Sequence, residues 1–136
     1  MGTHLEFRSG ALCDPPGTGP RGALLARQLL IGLPVLGFCV ARAVPQDWGQ
    51  GRQGWCVPVE NRRFPLWIGC GPLANDEDRH LCFITPSKPR VWSWYGRVDT
   101  VPTVERLANA LEACIRRSGV AHHLRWWSED EVQARR

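Results

Sequence analysis

The 136-residue chain holds 43% hydrophobic and 22% charged residues, proportions that exclude wholesale disorder. Its net charge of +4 comes from 16 arginines and one lysine set against 13 acids. These charges are interleaved rather than massed, which speaks against a basic stripe that grips a nucleic-acid backbone. The length suits one core, so a single domain over residues 1–136 is expected, with 1–19 as a loosely ordered N-terminal segment.

In chain order, His4-Leu5-Glu6-Phe7 alternates and predicts a short edge strand within residues 3–9, followed by a Pro/Gly loop over 13–19. Pro20 suits the first turn of a helix capped by Thr18 or Gly19. Leu25, Leu29 and Leu33 recur at helical spacing, Arg27 and Gln28 face away, and Pro34 stops the helix. Leu29 to Val40, between Arg27 and Ala41-Arg42-Ala43, imitates an export signal. It begins late and is broken by Gly32, Pro34 and Gly37, so a cytoplasmic domain is expected instead. The stretch is also too short to cross a bilayer.

Phe38 to Val44 reads as a strand, closed by a turn at Pro45-Gln46-Asp47-Trp48-Gly49 and a flexible glycine-rich turn through Gly54. Trp55 to Val59 follows, with Pro58 marking an edge or a bulge. Phe64 to Gly71 is apolar on both faces and is placed centrally. Pro72 to His80 reads as a polar loop around Asp76-Glu77-Asp78. Leu81 to Thr85 returns as the hairpin partner of Trp67-Ile68-Gly69, and Val91 to Tyr95 is a last meander strand.

The second helix is the clearest element. Asp99 or Thr100 caps it, Pro102 lies in the first turn, and Val104, Leu107, Ala108, Leu111, Cys114 and Ile115 form one apolar stripe. Ser118-Gly119 ends it, Leu124 to Trp127 closes the sheet, and Ser128 to Glu131 has the spacing of a capping box. The sum is an α+β fold, an antiparallel sheet of four to six strands packed on two helices as a two-layer sandwich.

Asp47-Trp48-Gly49, the run Trp67-Ile68-Gly69-Cys70-Gly71 and Val98-Asp99-Thr100 before the second helix together resemble segments of a group of small uncharacterised bacterial α+β proteins. The resemblance covers residues 20–128, and this chain departs from it by extra glycine-rich residues after Trp48. It implies the fold and carries no activity.

Six cysteines could make three disulfides, but Cys39, Cys70 and Cys82 lie inside apolar runs and Cys114 falls on a helix stripe. They read as reduced structural thiols. A nucleophilic Cys70 paired with His80, His122 or His123 is the sharpest enzymatic alternative, though no thiol-protease signature surrounds it. No Cys-x-x-Cys spacing calls for zinc, and successive histidines on a strand point to opposite faces. The acidic triplet lacks the alternation of a calcium loop, and Gly17-Thr18-Gly19-Pro20 lacks the ending of a phosphate loop. No cofactor or metal is expected.

What stands out is seven tryptophans beside many arginines. Trp and Arg are the residues of protein-interface hot spots, and the pair can also stack on single-stranded bases. Asp47, Trp48, Arg62, Arg63, Trp92, Trp94 and Arg97 are therefore the candidate protein interface. The expected function is a non-enzymatic interaction module, immunity-like or adaptor-like, ahead of a small cysteine or histidine enzyme and then a nucleic-acid binder.

Overall fold

The computed structural model describes residues 2–15, 19, 21–49, 52–73, 76–86, 90–93 and 96–134. The elements run β1 (His4–Arg8), α1 (Ala23–Val35), β2 (Val44–Gly49), β3 (Arg52–Val59), β4 (Leu66–Leu73) and β5 (Asp76–Thr85). They continue with β6 (Arg90–Ser93), β7 (Gly96–Asp99), α2 (Val101–Arg117), β8 (His122–Trp127) and α3 (Glu129–Ala134). Six strands form one antiparallel sheet in the order β2-β3-β4-β5-β1-β8, and β6 and β7 pair apart from it. The α+β expectation holds, with β4 in the middle of the sheet.

The pairing register assigns the sheet's two faces. Val57, Ile68 and Ile84 line up across β3, β4 and β5, and Cys70, Cys82, Leu5 and Trp126 line up across β4, β5, β1 and β8. On this face Leu5, Phe7, Val57, Ile68, Cys70, Cys82 and Ile84 are fully buried, in one cluster with the leucines of α1 and the stripe of α2. Trp126 on β8 donates its indole N–H to Glu112 of α2 at 2.9 Å. Where α1 and α2 meet, the Cys114 thiol sits against Gly32 and donates to the Gln28 carbonyl at 3.6 Å.

α1 starts later than expected and ends one residue past Pro34. The expected caps and first turn at Thr18 and Pro20 lie outside the described residues. The N-terminus is instead held from a distance: the Asp14 carboxylate accepts the Gly22 N–H at 2.6 Å and the Leu24 N–H at 3.0 Å. Two free amide donors at a helix start attract such an anion. The stop comes when the Leu36 and Phe38 N–H groups both fold back on the Leu33 carbonyl.

α2 begins where expected, and Asp99 supplies the cap by accepting the Val101 N–H at 3.0 Å. The capping box is also present, with Ser128 and Glu131 each accepting the other's backbone N–H.

Four expectations give way. β1 is an inner strand, paired on both sides, and Leu5, Phe7, Ser9 and Leu12 are buried where a loose segment was expected. Phe38 to Ala43 forms no strand of the sheet and is tied to the end of β3 by the Val40–Val59 bridge and by hydrogen bonds of Cys39 and Ala41, whereas Val44 to Gly49, through the segment expected to turn, forms the edge strand β2. Proline is tolerated there because an edge strand has one unpaired side. The acidic segment joins β5 because β1 recruits it: Asp78 accepts the Ser9 N–H through its carbonyl and Arg8 through its side chain. Finally, the last meander strand is β6, which pairs with β7 instead of the main sheet.

Candidate aromatic face of the sheet

The sheet face turned away from α1 and α2 carries its own aromatic cluster. Register places Gly69, Phe83, His4 and Trp127 in one row across β4, β5, β1 and β8, with Trp67 two residues before Gly69 on the same side. The Phe83 ring occupies the space that a Cβ on Gly69 would need. A Cβ on Gly54 of β3 would come within 2.6 Å of the Trp48 indole nitrogen. The two glycines thus form a floor on which large rings lie close to backbone, as glycine in a strand permits.

Trp48 reaches this floor from the sheet edge. The β2–β3 register shifts between Asp47 and Gly49, leaving Trp48 at the irregularity. A bulge of this kind bends its strand and re-aims a side chain. Its ring then lies parallel to Trp67, with centroids 5.8 Å apart and planes 4° apart, while Phe83 meets both edge-on at 5.2 and 5.7 Å. His4 stacks on the far side of Phe83 at 5.6 Å, and the Arg125 guanidinium lies 3.7 Å over the Trp127 ring. Trp48, Trp67 and Phe83 are each only half-buried in the isolated chain.

Charges at one border of this face are paired. Arg8 meets Asp78 at 2.8 Å and Arg79 meets Glu6 at 3.0 Å, so the border is close to neutral. Aromatic rings in such contacts add about 0.5–1.5 kcal/mol per pair beyond their buried area. The cluster therefore supports the sheet and also presents apolar ring surface outward.

The sequence candidates are only partly brought together. Trp48 is in the cluster, and Asp47 is exposed beside it on β2. Arg62 and Arg63 are exposed in the β3–β4 turn. That turn lies beyond Val59, whereas Asp47 pairs with Gln53, which puts the two groups about 20 Å apart along the strand. Arg97 is exposed on β7 and pairs in register with Trp92 in the separate two-stranded β6–β7 sheet, and Trp94 lies outside the described residues. Trp67, Phe83 and His4 were missed. The alternation Trp67, Gly69, Gly71 on one side of β4 was the available signal: a tryptophan beside two absent side chains marks a place where other rings can lie.

The polar alternatives find little support. Cys70 is fully buried, and burial, with smaller contributions from Cys56 and Asp14, pushes its thiol up to about 12. Such a thiol stays protonated and unreactive at neutral pH. His80 is buried too, donating from Nε2 to the Ser9 carbonyl at 2.9 Å and stacking on Phe7 at 5.3 Å. His122 and His123 depart from the expected opposite facing: His123 adopts φ 57°, and the two rings meet at 5.0 Å. Among the described residues no group of three or more His, Cys, Asp or Glu side chains could hold a metal ion. No helix among the described residues is long and apolar enough to cross a membrane.

No family model matches the chain, and neither a curated protein nor a solved structure matches it.

Proposed function

We propose that this chain is a non-enzymatic protein-interaction module, immunity-like or adaptor-like, whose partner docks on the aromatic face of the sheet. The observation that carries the reading is the half-buried cluster of Trp48, Trp67 and Phe83 on the face opposite the helices. Tryptophans on a partly exposed apolar patch are among the side chains that dominate interface energetics, because they remove much area from water at little entropic cost. Six free thiols support a reducing, cytoplasmic setting. Membership of the group of small bacterial proteins sharing the Asp-Trp-Gly and Trp-Ile-Gly-Cys-Gly segments belongs to the same proposal.

The test is photo-crosslinking in host cells from benzoylphenylalanine placed at Trp48, which keeps an aromatic ring there. Asn109, exposed on the outer side of α2, serves as the control position. A discrete protein adduct from position 48 and none from 109 is expected. Equal yields from the two positions, or no adduct from position 48, would overturn the reading.

A further inference from the structure

The two adjacent histidines of β8 do not follow the alternation of a strand. Between the pairs Glu6–Arg125 and Arg8–His122 lies one residue of β1, Phe7, but two of β8, His123 and Leu124. This is a β-bulge, and its first residue, His123, sits at φ 57°. Such a bulge ordinarily has glycine there, because the left-handed conformation costs a residue that carries a Cβ. This chain has histidine at the strained place, and backbone outliers of this kind gather where ligands are held.

The bulge also decides which way the side chains go. Strict alternation from Trp126 would turn His122 inward, whereas register opposite Arg8 carries it to the outer side of the sheet. The two rings then meet with centroids 5.0 Å apart and planes at 65°, and both residues are exposed. Zinc–imidazole bonds of about 2.1 Å put a metal about 3.2 Å from each ring centre, so rings 5.0 Å apart subtend about 100° at one ion. That is close to a tetrahedral angle. Exposed rings need only turn about their own side-chain bonds to aim one nitrogen each at the ion. The nearby cations are already paired: Arg8, in register with His122, meets Asp78 at 2.8 Å, and Arg79 meets Glu6 at 3.0 Å.

We infer that His122 and His123 form an open site for a zinc-class divalent ion, with water in the remaining positions. Imidazole nitrogen selects borderline ions such as zinc over magnesium and calcium, which take oxygen. The chain's other two histidines, His4 and His80, are 8% and 2% exposed, so β8 carries the imidazoles that solvent reaches. Among the described residues no third His, Cys, Asp or Glu side chain completes a group that could hold a metal. The ion is therefore exchangeable, unlike one closed in by four protein ligands. The site lies on β8, the sheet edge opposite the one that carries Trp48, and does not depend on the interaction-module reading.

The probe is zinc ion alone, titrated into the whole chain and followed by calorimetry and by NMR of the histidine ring protons. One zinc per chain is expected, with the ring signals of His122 and His123 moving together and those of His4 and His80 staying in place. Magnesium should move none of the four. His122→Ala and His123→Ala should each weaken zinc binding at least roughly tenfold, since two tethered ligands act at a high local concentration that one alone lacks. His123→Gly should lose zinc to the same extent yet melt above His123→Ala, because glycine accepts φ 57° without strain. That pair of variants separates the ligand from the backbone position. Movement of one ring alone, no binding below millimolar zinc, or single substitutions without effect would overturn the inference. So would loss of zinc in Cys39→Ser, which would make the exposed thiol the ligand.

Discussion

Phe83 lies on the bare backbone of Gly69, its cross-strand partner, in the space that any side chain on Gly69 would occupy. The same ring supports Trp48 and Trp67, so this one absent side chain fixes how the aromatic face is built. Gly69→Ala should therefore destabilise the protein by about 1–3 kcal/mol, as overpacking does. A smaller ring partner should relieve it. In urea unfolding, Phe83→Leu combined with Gly69→Ala should cost less than the sum of the single changes, giving a coupling of about 1 kcal/mol. Strict additivity would show that the two residues do not share the space.

Asp14 holds the start of α1 through two backbone N–H groups. Asp14→Ala leaves both donors without that carboxylate and removes a favourable charge from the helix N-terminus. The expected loss is about 1–2 kcal/mol, measured by denaturant unfolding. Asp14→Asn should retain part of it, since the amide oxygen still accepts one bond.

His80 makes stability depend on pH on the acid side. Burial lowers its pKa, while the Ser9 carbonyl, Asp14 and Asp78 act in the raising direction without overcoming it. The folded protein then takes up the His80 proton at lower pH than the unfolded chain, whose histidines titrate near about 6.5. This contribution is present above that value and is lost as pH falls below it, because the unfolded state binds the proton first. His80→Phe keeps a ring against Phe7 and should flatten the dependence of melting temperature on pH between about 7 and 5. It should also cost about 1 kcal/mol at neutral pH, because the Ser9 carbonyl loses its donor. An unchanged slope in this variant would show that other groups carry the acid sensitivity.

The thiols should label in the order of their exposure. Cys39 is exposed, whereas Cys70 and Cys82 are fully buried with their pKa values pushed upward by desolvation. Under native conditions an alkylating reagent should modify Cys39 first, and Cys70 and Cys82 only at the rate of unfolding. Mass spectrometry of the partly labelled protein reads this directly, and early labelling of Cys70 would reopen the nucleophile reading.

Local patterns made some elements legible and left others hidden. α2 was readable because Val104, Leu107, Leu111, Cys114 and Ile115 keep one period for about three turns, and Asp99 stands where a cap belongs. β4 was readable as central because it is apolar on both sides. The inner position of β1 was not, since five residues with alternating polarity look alike at an edge and between two neighbours. Pro45, Asp47 and Gly49 carry turn propensity, and only pairing with β3 makes them a strand. The same holds for the start of β5, where pairing of Asp76 with Leu73 on β4 and the Ser9 N–H on the Asp78 carbonyl outweigh the preference of acidic residues for loops. At the site, Trp48 was legible as a surplus aromatic, but the company it keeps depends on an edge irregularity and on two distant glycines, and neither leaves a periodic trace.

The aromatic face remains the centre of the account, and its most direct test is an affinity. With the partner identified by crosslinking, dissociation constants are measured for the parent chain and for Trp48→Ala, with the thermal melt of each recorded beside them. Trp48 lies at the sheet edge and is half-buried, so the variant is expected to fold. Its dissociation constant should rise by about thirtyfold or more, the mark of an interface hot spot at about 2 kcal/mol. An unchanged constant in a folded Trp48→Ala variant would contradict the account.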